Sequence, residues 1–117
     1  MRDLRKGRKF GRVKKQREAL LQSLAVNLIM HNKINTTLAK AKELRPFIER
    51  QVSYAKKGGV IGFRAVRKTL PEAAAKKLMK EIAPRYEDRA GGCTRIIKSA
   101  RRPGDAAYTA VIEFIEK

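Results

Sequence analysis

The chain has 117 residues and a formal net charge of +18, from 29 Lys and Arg against 11 Asp and Glu. This length allows one domain with one hydrophobic core, and so positive a charge predicts a polyanionic partner, for which nucleic acid is the leading candidate. A single cysteine excludes an internal disulfide and favours a reducing compartment. The sequence has no apolar run of the ~20 residues that span a bilayer and no secretory signal pattern, so we expect a cytoplasmic protein.

Residues 1–17 form a basic N-terminal extension, in which nine residues are Lys or Arg and one is acidic. Because few apolar residues accompany these charges, we expect the extension to be disordered until a polyanion neutralises it. Arg can also bind phosphate bidentately. We predict nucleic-acid contact for all nine bases of the extension: Arg2, Arg5, Lys6, Arg8, Lys9, Arg12, Lys14, Lys15 and Arg17. Residues 18–117 are expected to form a single folded domain.

The apolar spacing in the first half of the chain predicts two helices around a short strand. The first helix should run from about Lys15 to Asn32, and β-branched residues predict a strand at 33–37. Thr37 should cap a second helix, from Leu38 to about Lys57, which Pro46 should kink and Gly58-Gly59 should end.

Two shorter helices and a hairpin should follow. We expect a helix over 60–69 with Ile61, Val66 and Leu70 inward, then a helix over 72–83 with Ala75, Leu78, Met79 and Ile82 inward. Pro84 should stop it, leaving a charged loop to Gly92. The apolar period then changes to two, which predicts strands over 93–100 and 107–115 joined by a tight turn. Helices followed by a hairpin indicate an α+β domain, with the helices packed on one face of a small sheet.

Catalytic chemistry has little support in this sequence. His31 and Cys93 are its only His and Cys, and we expect them to be a helix-end residue and a small buried hydrophobe. Neither spaced metal ligands nor a phosphate-binding glycine loop occurs, so we predict a non-enzymatic protein without cofactor or metal.

A second basic cluster lies in the loop and the hairpin. Its members should also contact nucleic acid, although plain solvation of these charges is the alternative: Arg85, Arg89, Arg95, Lys98, Arg101 and Arg102. Strand alternation places Arg95 and Lys98 on opposite faces, whereas the turn pair Arg101-Arg102 is well placed to reach outward. With no pattern for reading base edges, a protein that binds nucleic acid by shape and phosphate contacts is predicted.

Three segments carry a resemblance that covers essentially the whole chain: TTLAKAKELR (36–45), RAGGCTRIIK (89–98) and RPGDAAYTAVIEFI (102–115). They resemble the bacterial large-subunit ribosomal protein 17 family, in which Tyr commonly stands at the position of Cys93. The resemblance implies a two-layer α+β domain whose three-stranded sheet is mixed, with the early strand joining the hairpin. It also implies a structural constituent of the large ribosomal subunit that binds 23S-type ribosomal RNA and neighbouring ribosomal proteins, including large-subunit protein 32. A nucleoid-associated or regulatory DNA-binding protein is the alternative.

Overall fold

A computed structural model describes residues 13–101, 104 and 107–115 of the chain. In these residues, helices pack on one face of a three-stranded sheet, which confirms the α+β fold class. The elements follow one another as α1 (Lys14–His31), β1 (Lys33–Thr37), α2 (Leu38–Lys56), α3 (Gly59–Arg67), α4 (Glu72–Lys77), β2 (Thr94–Arg101) and β3 (Tyr108–Phe114).

The sheet is antiparallel throughout, with the strand order β1-β3-β2. The expectation of a mixed sheet is therefore wrong. Strand β3 takes the central position and runs against both neighbours, so that Ile112 lies opposite Ile34 on one side and opposite Ile96 on the other. Strands β1 and β2 run in the same direction, because both are antiparallel to β3, and they do not pair, because β3 lies between them.

Local capping explains where α2 begins. The Thr37 side chain accepts a hydrogen bond from the Lys40 backbone N–H at 3.3 Å, which satisfies one of the free donors of the first turn. Helix α2 then continues through Pro46 as a single helix to Lys56. The predicted helix cap and the predicted strand at 33–37 are both confirmed.

Pro84 does not end the fourth helix, contrary to the sequence expectation. Beyond α4 the chain continues as one π-helical turn, Leu78–Ile82, and one 3₁₀ turn, Ala83–Tyr86. Pro84 lies in the first positions of that 3₁₀ turn, where its missing N–H costs no hydrogen bond. The charged loop therefore begins only after Tyr86.

The core lies between the helices and the sheet. Of the three residues expected inward at α3, Val66 and Leu70 are buried and Ile61 is not. The largest fully buried aliphatic side chains of the core are Leu28, Ile29, Leu44, Ile48, Leu70, Leu78, Ile82 and Ile112. Ile61 was expected inside, yet 74% of it is exposed. Gly62 is buried instead. Only glycine fits there, because a Cβ at this position would lie 2.9 Å from the Tyr54 carbonyl oxygen of α2. The close approach of α2 and α3 thus turns Gly62 inward and Ile61 outward.

Candidate nucleic-acid interface

The hairpin end of the sheet carries two cations held on one aromatic ring. The Arg101 guanidinium lies 4.7 Å from the centroid of the Tyr108 ring, and the Lys98 ammonium lies 5.7 Å from the same centroid. Arg101 Nη2 also donates to the Tyr108 hydroxyl at 3.0 Å. We call Lys98, Arg101 and Tyr108 the hairpin cluster.

A shift in strand register explains how the three side chains meet. Lys98 lies opposite Ala110 and Arg101 opposite Tyr108, with an irregularity in β2 between them. All three side chains are exposed, and within the described residues no carboxylate lies at ion-pair distance from either cation. Cation–π contacts restrict the side chains without neutralising their charge, so the hairpin cluster presents two ordered positive charges to solvent.

The opposite end of the sheet holds a cationic cleft of about 670 Å³. It forms where α1 ends, β1 and β2 begin and β3 ends, and we call it the strand-end cleft. Its lining residues are His31, Asn32, Lys33, Arg85, Arg95, Glu113 and Phe114. Three of these side chains are cationic at neutral pH and one is a carboxylate, so the cleft has an excess of positive charge.

Short polar contacts shape the strand-end cleft. Arg95 Nε donates to Glu113 Oε2 at 2.6 Å, and Arg85 Nη1 donates to Asn32 Oδ1 at 3.4 Å. Asn32 adopts the left-handed conformation with φ of 68°, which turns the chain from α1 into β1, and its carbonyl accepts from the Phe114 N–H at 3.1 Å. Arg85 and Arg95, from separate parts of the chain, are thereby brought to one cavity.

The end of α1 would by itself oppose an anion in this cleft, because helix C-termini present free carbonyl oxygens. The Lys77 ammonium donates to one of them, the Met30 carbonyl, at 2.9 Å. His31 lies in the last turn of the helix, as expected for a helix-end residue. Lys77 therefore offsets part of the negative end of the dipole from outside the cleft.

The predicted second basic cluster is thus divided between two places. Arg85 and Arg95 lie at the strand-end cleft, whereas Lys98 and Arg101 lie at the hairpin; along β2, Arg95 and Arg101 are separated by ~20 Å at the rise of an extended strand. Arg89 is exposed in the loop before β2, where its carbonyl accepts a hydrogen bond from the Lys56 ammonium. Arg102 lies outside the described residues.

Sequence reasoning missed Lys33 and the role of Tyr108. The antiparallel register places Lys33 opposite Glu113, which also pairs with Arg95. This register would have been the signal for Lys33, but it requires knowing that β3 lies between β1 and β2.

The N-terminal extension is described only from Val13 onward. Lys14 and Lys15 are exposed in the first turn of α1, so the expected disorder does not hold for residues 14–17. Arg17 Nη2 lies 3.0 Å from Glu43 Oε2 and is mostly covered, which ties α1 to α2 and leaves this guanidinium poorly placed for an external anion. The other predicted contact residues of the extension, Arg2, Arg5, Lys6, Arg8, Lys9 and Arg12, lie outside the described residues.

The single cysteine, Cys93, lies in the protein interior. Cys93 is buried, and burial, followed by the nearby Glu49 carboxylate, raises the pKa of its thiol to about 11, so that it is protonated at neutral pH and a poor nucleophile. Within the part of the chain that the structure describes, no group of His, Cys, Asp and Glu is placed to hold a metal ion. The described helices also include none long and apolar enough to cross a membrane.

Comparison with known proteins gives consistent matches over nearly the whole chain. Residues 20–115 match the family model described as Ribosomal protein L17. The chain is 48% identical over 118 residues to the large ribosomal subunit protein bL17 of Hydrogenobaculum sp., covering 99% of this chain and 100% of that protein. It is 51% identical over 119 residues to the bL17 of Persephonella marina, covering 99% and 96%. With the bL17 of Sphingopyxis alaskensis the identity is 46% over 112 residues, covering 95% and 81%. The chain belongs to the Ribosomal protein L17 family.

Proposed function

We propose that the chain binds 23S-type ribosomal RNA with cations at both ends of its sheet, together with the N-terminal extension. Its family membership makes it a structural, non-enzymatic constituent of the large ribosomal subunit, located in the bacterial cytoplasm and serving translation. What we propose beyond this role is which of its residues contact the RNA.

The hairpin cluster is the observation that carries this proposal. Its two cations are exposed, ordered on the Tyr108 ring, and at ion-pair distance from no carboxylate of the described residues. Because these cations have no ion pair within the described residues to break, contact with phosphate costs them less binding free energy. Arg95 differs, because its pairing with Glu113 competes with an incoming phosphate.

The strand-end cleft would contact a second RNA segment. Since Arg101 of the hairpin cluster and Arg95 of this cleft lie ~20 Å apart along β2, one phosphate cannot reach both of these side chains. The domain would thus bridge two stretches of RNA, with Lys33 and Arg85 binding at the cleft. A protein that stabilises folded RNA needs contacts of this kind, which recognise backbone geometry rather than base sequence.

The N-terminal extension, residues 1–17, would supply further phosphate contacts beside the domain of residues 18–117. Its bases number nine against one acid, a density that makes counterion release the main source of its affinity. Neighbouring ribosomal proteins would complete the environment of the chain, and resemblance to the family suggests large-subunit protein 32 as one of them.

The test replaces the two cations of the hairpin cluster together, Lys98→Gln and Arg101→Gln, in the full chain. Binding to transcribed 23S-type ribosomal RNA is measured over a range of salt concentrations. Because two phosphate contacts are removed, the slope of log affinity against log salt should fall by about 1–2. Co-sedimentation of the variant with the large subunit in a gradient should fall as well.

The matched control is the pair Arg64→Gln and Lys80→Gln, which removes one Arg and one Lys from exposed positions on α3 and the π-helical turn. This pair should leave the salt slope nearer to that of the native chain. Equal effects of the two double variants would mean that net charge alone decides binding, and would contradict the proposal. Equal affinity for duplex DNA would instead support the DNA-binding alternative.

A further inference from the structure

The face of the molecule formed by α2 and α3 has a groove of about 390 Å³ that RNA binding does not explain. Four side chains give it an apolar floor: Phe47, Tyr54, Ile61 and Ala65. Ile61 is 74% exposed and its neighbour Val60 is 64% exposed. An exposed β-branched aliphatic side chain, Ile61, thus lines the groove together with the rings of Phe47 and Tyr54, which suggests a site of protein contact.

An unsatisfied polar atom accompanies this surface. Gln51 lines the groove and is only 2% exposed, and among the described residues its Oε1 is the one buried side-chain oxygen or nitrogen without a hydrogen-bond partner. A buried acceptor left unpaired is unfavourable. Because this oxygen is covered from solvent, the unpaired acceptor belongs to the packing beneath the groove.

The rim of the groove is positively charged. It carries Arg50, Lys57 and Lys68, and no carboxylate of the residues that the structure describes lines the cavity. A second copy of this chain, with its net charge of +18, would be repelled. The rim therefore selects a negatively charged partner.

We propose that the α2–α3 groove is the docking site for an acidic polypeptide segment of a partner protein. The segment would place a bulky apolar side chain on the floor formed by Phe47, Tyr54 and Ile61, and its carboxylates would face the cations of the rim. This inference is independent of the RNA contacts proposed above.

An acidic polypeptide fits the groove better than RNA does. A phosphodiester backbone stays hydrated and gains little from covering exposed aliphatic side chains, whereas an apolar side chain on the same surface releases its water. The Tyr54 ring already has the Lys57 ammonium 6.0 Å from its centroid, which makes it a crowded place for a stacked base.

Photo-cross-linking in cells tests this proposal with the full chain. Ile61 is replaced by p-benzoylphenylalanine, and the cross-linked product is mapped by mass spectrometry to the residue. We expect a polypeptide cross-link whose mapped segment carries Asp or Glu beside an apolar residue. Adding Lys57→Glu and Lys68→Glu should reduce its yield on the order of tenfold; both lysines are exposed, and thermal melting checks that the variant remains folded.

The control places the same photoreactive residue at Glu81, which is exposed on the π-helical turn and does not line the groove. It should not give the same cross-link. The proposal is overturned if the probe at position 61 cross-links to RNA, to another copy of the chain or to a segment without acidic residues. A yield no higher than that of the control, or one that is insensitive to the charge reversals, overturns it as well.

Discussion

At the scale of single residues, burial decides the chemistry of Cys93. The side chain is 2% exposed, at the point where the loop enters β2. The expectation that this lone cysteine is a small buried hydrophobe is confirmed. Burial raises the pKa of its thiol from 9.0 to about 11, with a smaller contribution from the Glu49 carboxylate. The thiol is therefore linked to the stability of the fold at alkaline pH.

We predict that alkaline pH destabilises the native chain more than the variant Cys93→Ala. Above pH 9 the unfolded chain releases the thiol proton, whereas the folded chain keeps it until about pH 11. The stabilising contribution of this group is thus complete below pH 9 and is lost as the pH rises toward 11. The free energy of unfolding is measured with urea at pH 8 and at pH 11. Between these two pH values, the native chain should lose about 2–3 kcal/mol more of it than the variant does.

The other ionisable groups are present in both proteins, so their contributions cancel in the comparison. The Ala variant should be the less stable protein at neutral pH, by about 1 kcal/mol. If the difference in unfolding free energy between the two proteins does not change between pH 8 and pH 11, the buried thiol is not the linked group.

The hairpin cluster shows what residue-level reasoning can and cannot predict. Strand alternation correctly predicts opposite faces for Arg95 and Lys98, since they lie opposite Glu113 and the buried Ala110. It does not predict that Lys98 and Arg101 share the Tyr108 ring. That contact depends on the irregular register between residues 98 and 101, which no periodic pattern contains.

At the scale of elements, helix α3 shows how hydrophobicity alone misplaces one residue: Val66 and Leu70 are buried as predicted, but Ile61 is exposed. Periodicity locates the helix to within about two residues. It predicts Ile61 as an inward residue because Ile61 is more apolar than its neighbour Gly62. The observed inward residues are Gly62 and Val66 within the helix, followed by Leu70 just beyond its end. Whether a glycine is needed depends on how closely two helices approach, and this is a property of the packed molecule. The direction of β1 relative to the hairpin, antiparallel to β3, is likewise a property of the packed molecule.

We predict that Gly62→Ala destabilises the fold, although Ala favours helices over Gly by about 1 kcal/mol. The new Cβ would lie 2.9 Å from the Tyr54 carbonyl oxygen and 3.4 Å from Met79 Cε. Since the first contact is with backbone, α3 must move away from α2, at a cost of about 1–3 kcal/mol before the gain in helix propensity. Chemical denaturation of the full chain measures the net change.

Gly104→Ala provides the control, because an added Cβ there has no atom within 4 Å. Its unfolding midpoint should stay close to that of the native chain. A Gly62→Ala protein that is more stable than the native chain would mean that the two helices separate at little cost, and that the approach at Gly62 does not fix the face of α3.

At the scale of the whole molecule, the charge is spread over regions with different structural roles. The hairpin cluster and the strand-end cleft are held by the fold, whereas Arg2, Arg5, Lys6, Arg8, Lys9 and Arg12 precede the described residues. Composition predicts a polyanionic partner correctly, because net charge does not depend on packing. It does not predict that the second basic cluster is divided between opposite ends of the sheet, because that follows from how β2 runs across the molecule.

We predict that deletion of residues 2–12 leaves the domain folded but greatly weakens its salt-dependent binding to ribosomal RNA. The described core begins at Ala25, and α1 starts at Lys14, so the deletion leaves every residue of the described core in place. Six bases are lost, and if each neutralises a phosphate, the salt slope should fall by about 4–5. Titrations of native and shortened chains against 23S-type ribosomal RNA measure this slope, and thermal melting checks the fold.

A chain in which residues 2–12 are shuffled separates charge from sequence, since its composition is unchanged. If the extension acts through counterion release alone, the shuffled chain keeps the native slope and affinity. If it follows a defined path along the RNA, the slope stays while the affinity falls, because the same phosphates are neutralised with poorer geometry. A shortened chain that keeps the native slope would mean that the folded domain alone makes the phosphate contacts, leaving the cations at the two ends of the sheet as the binding surface.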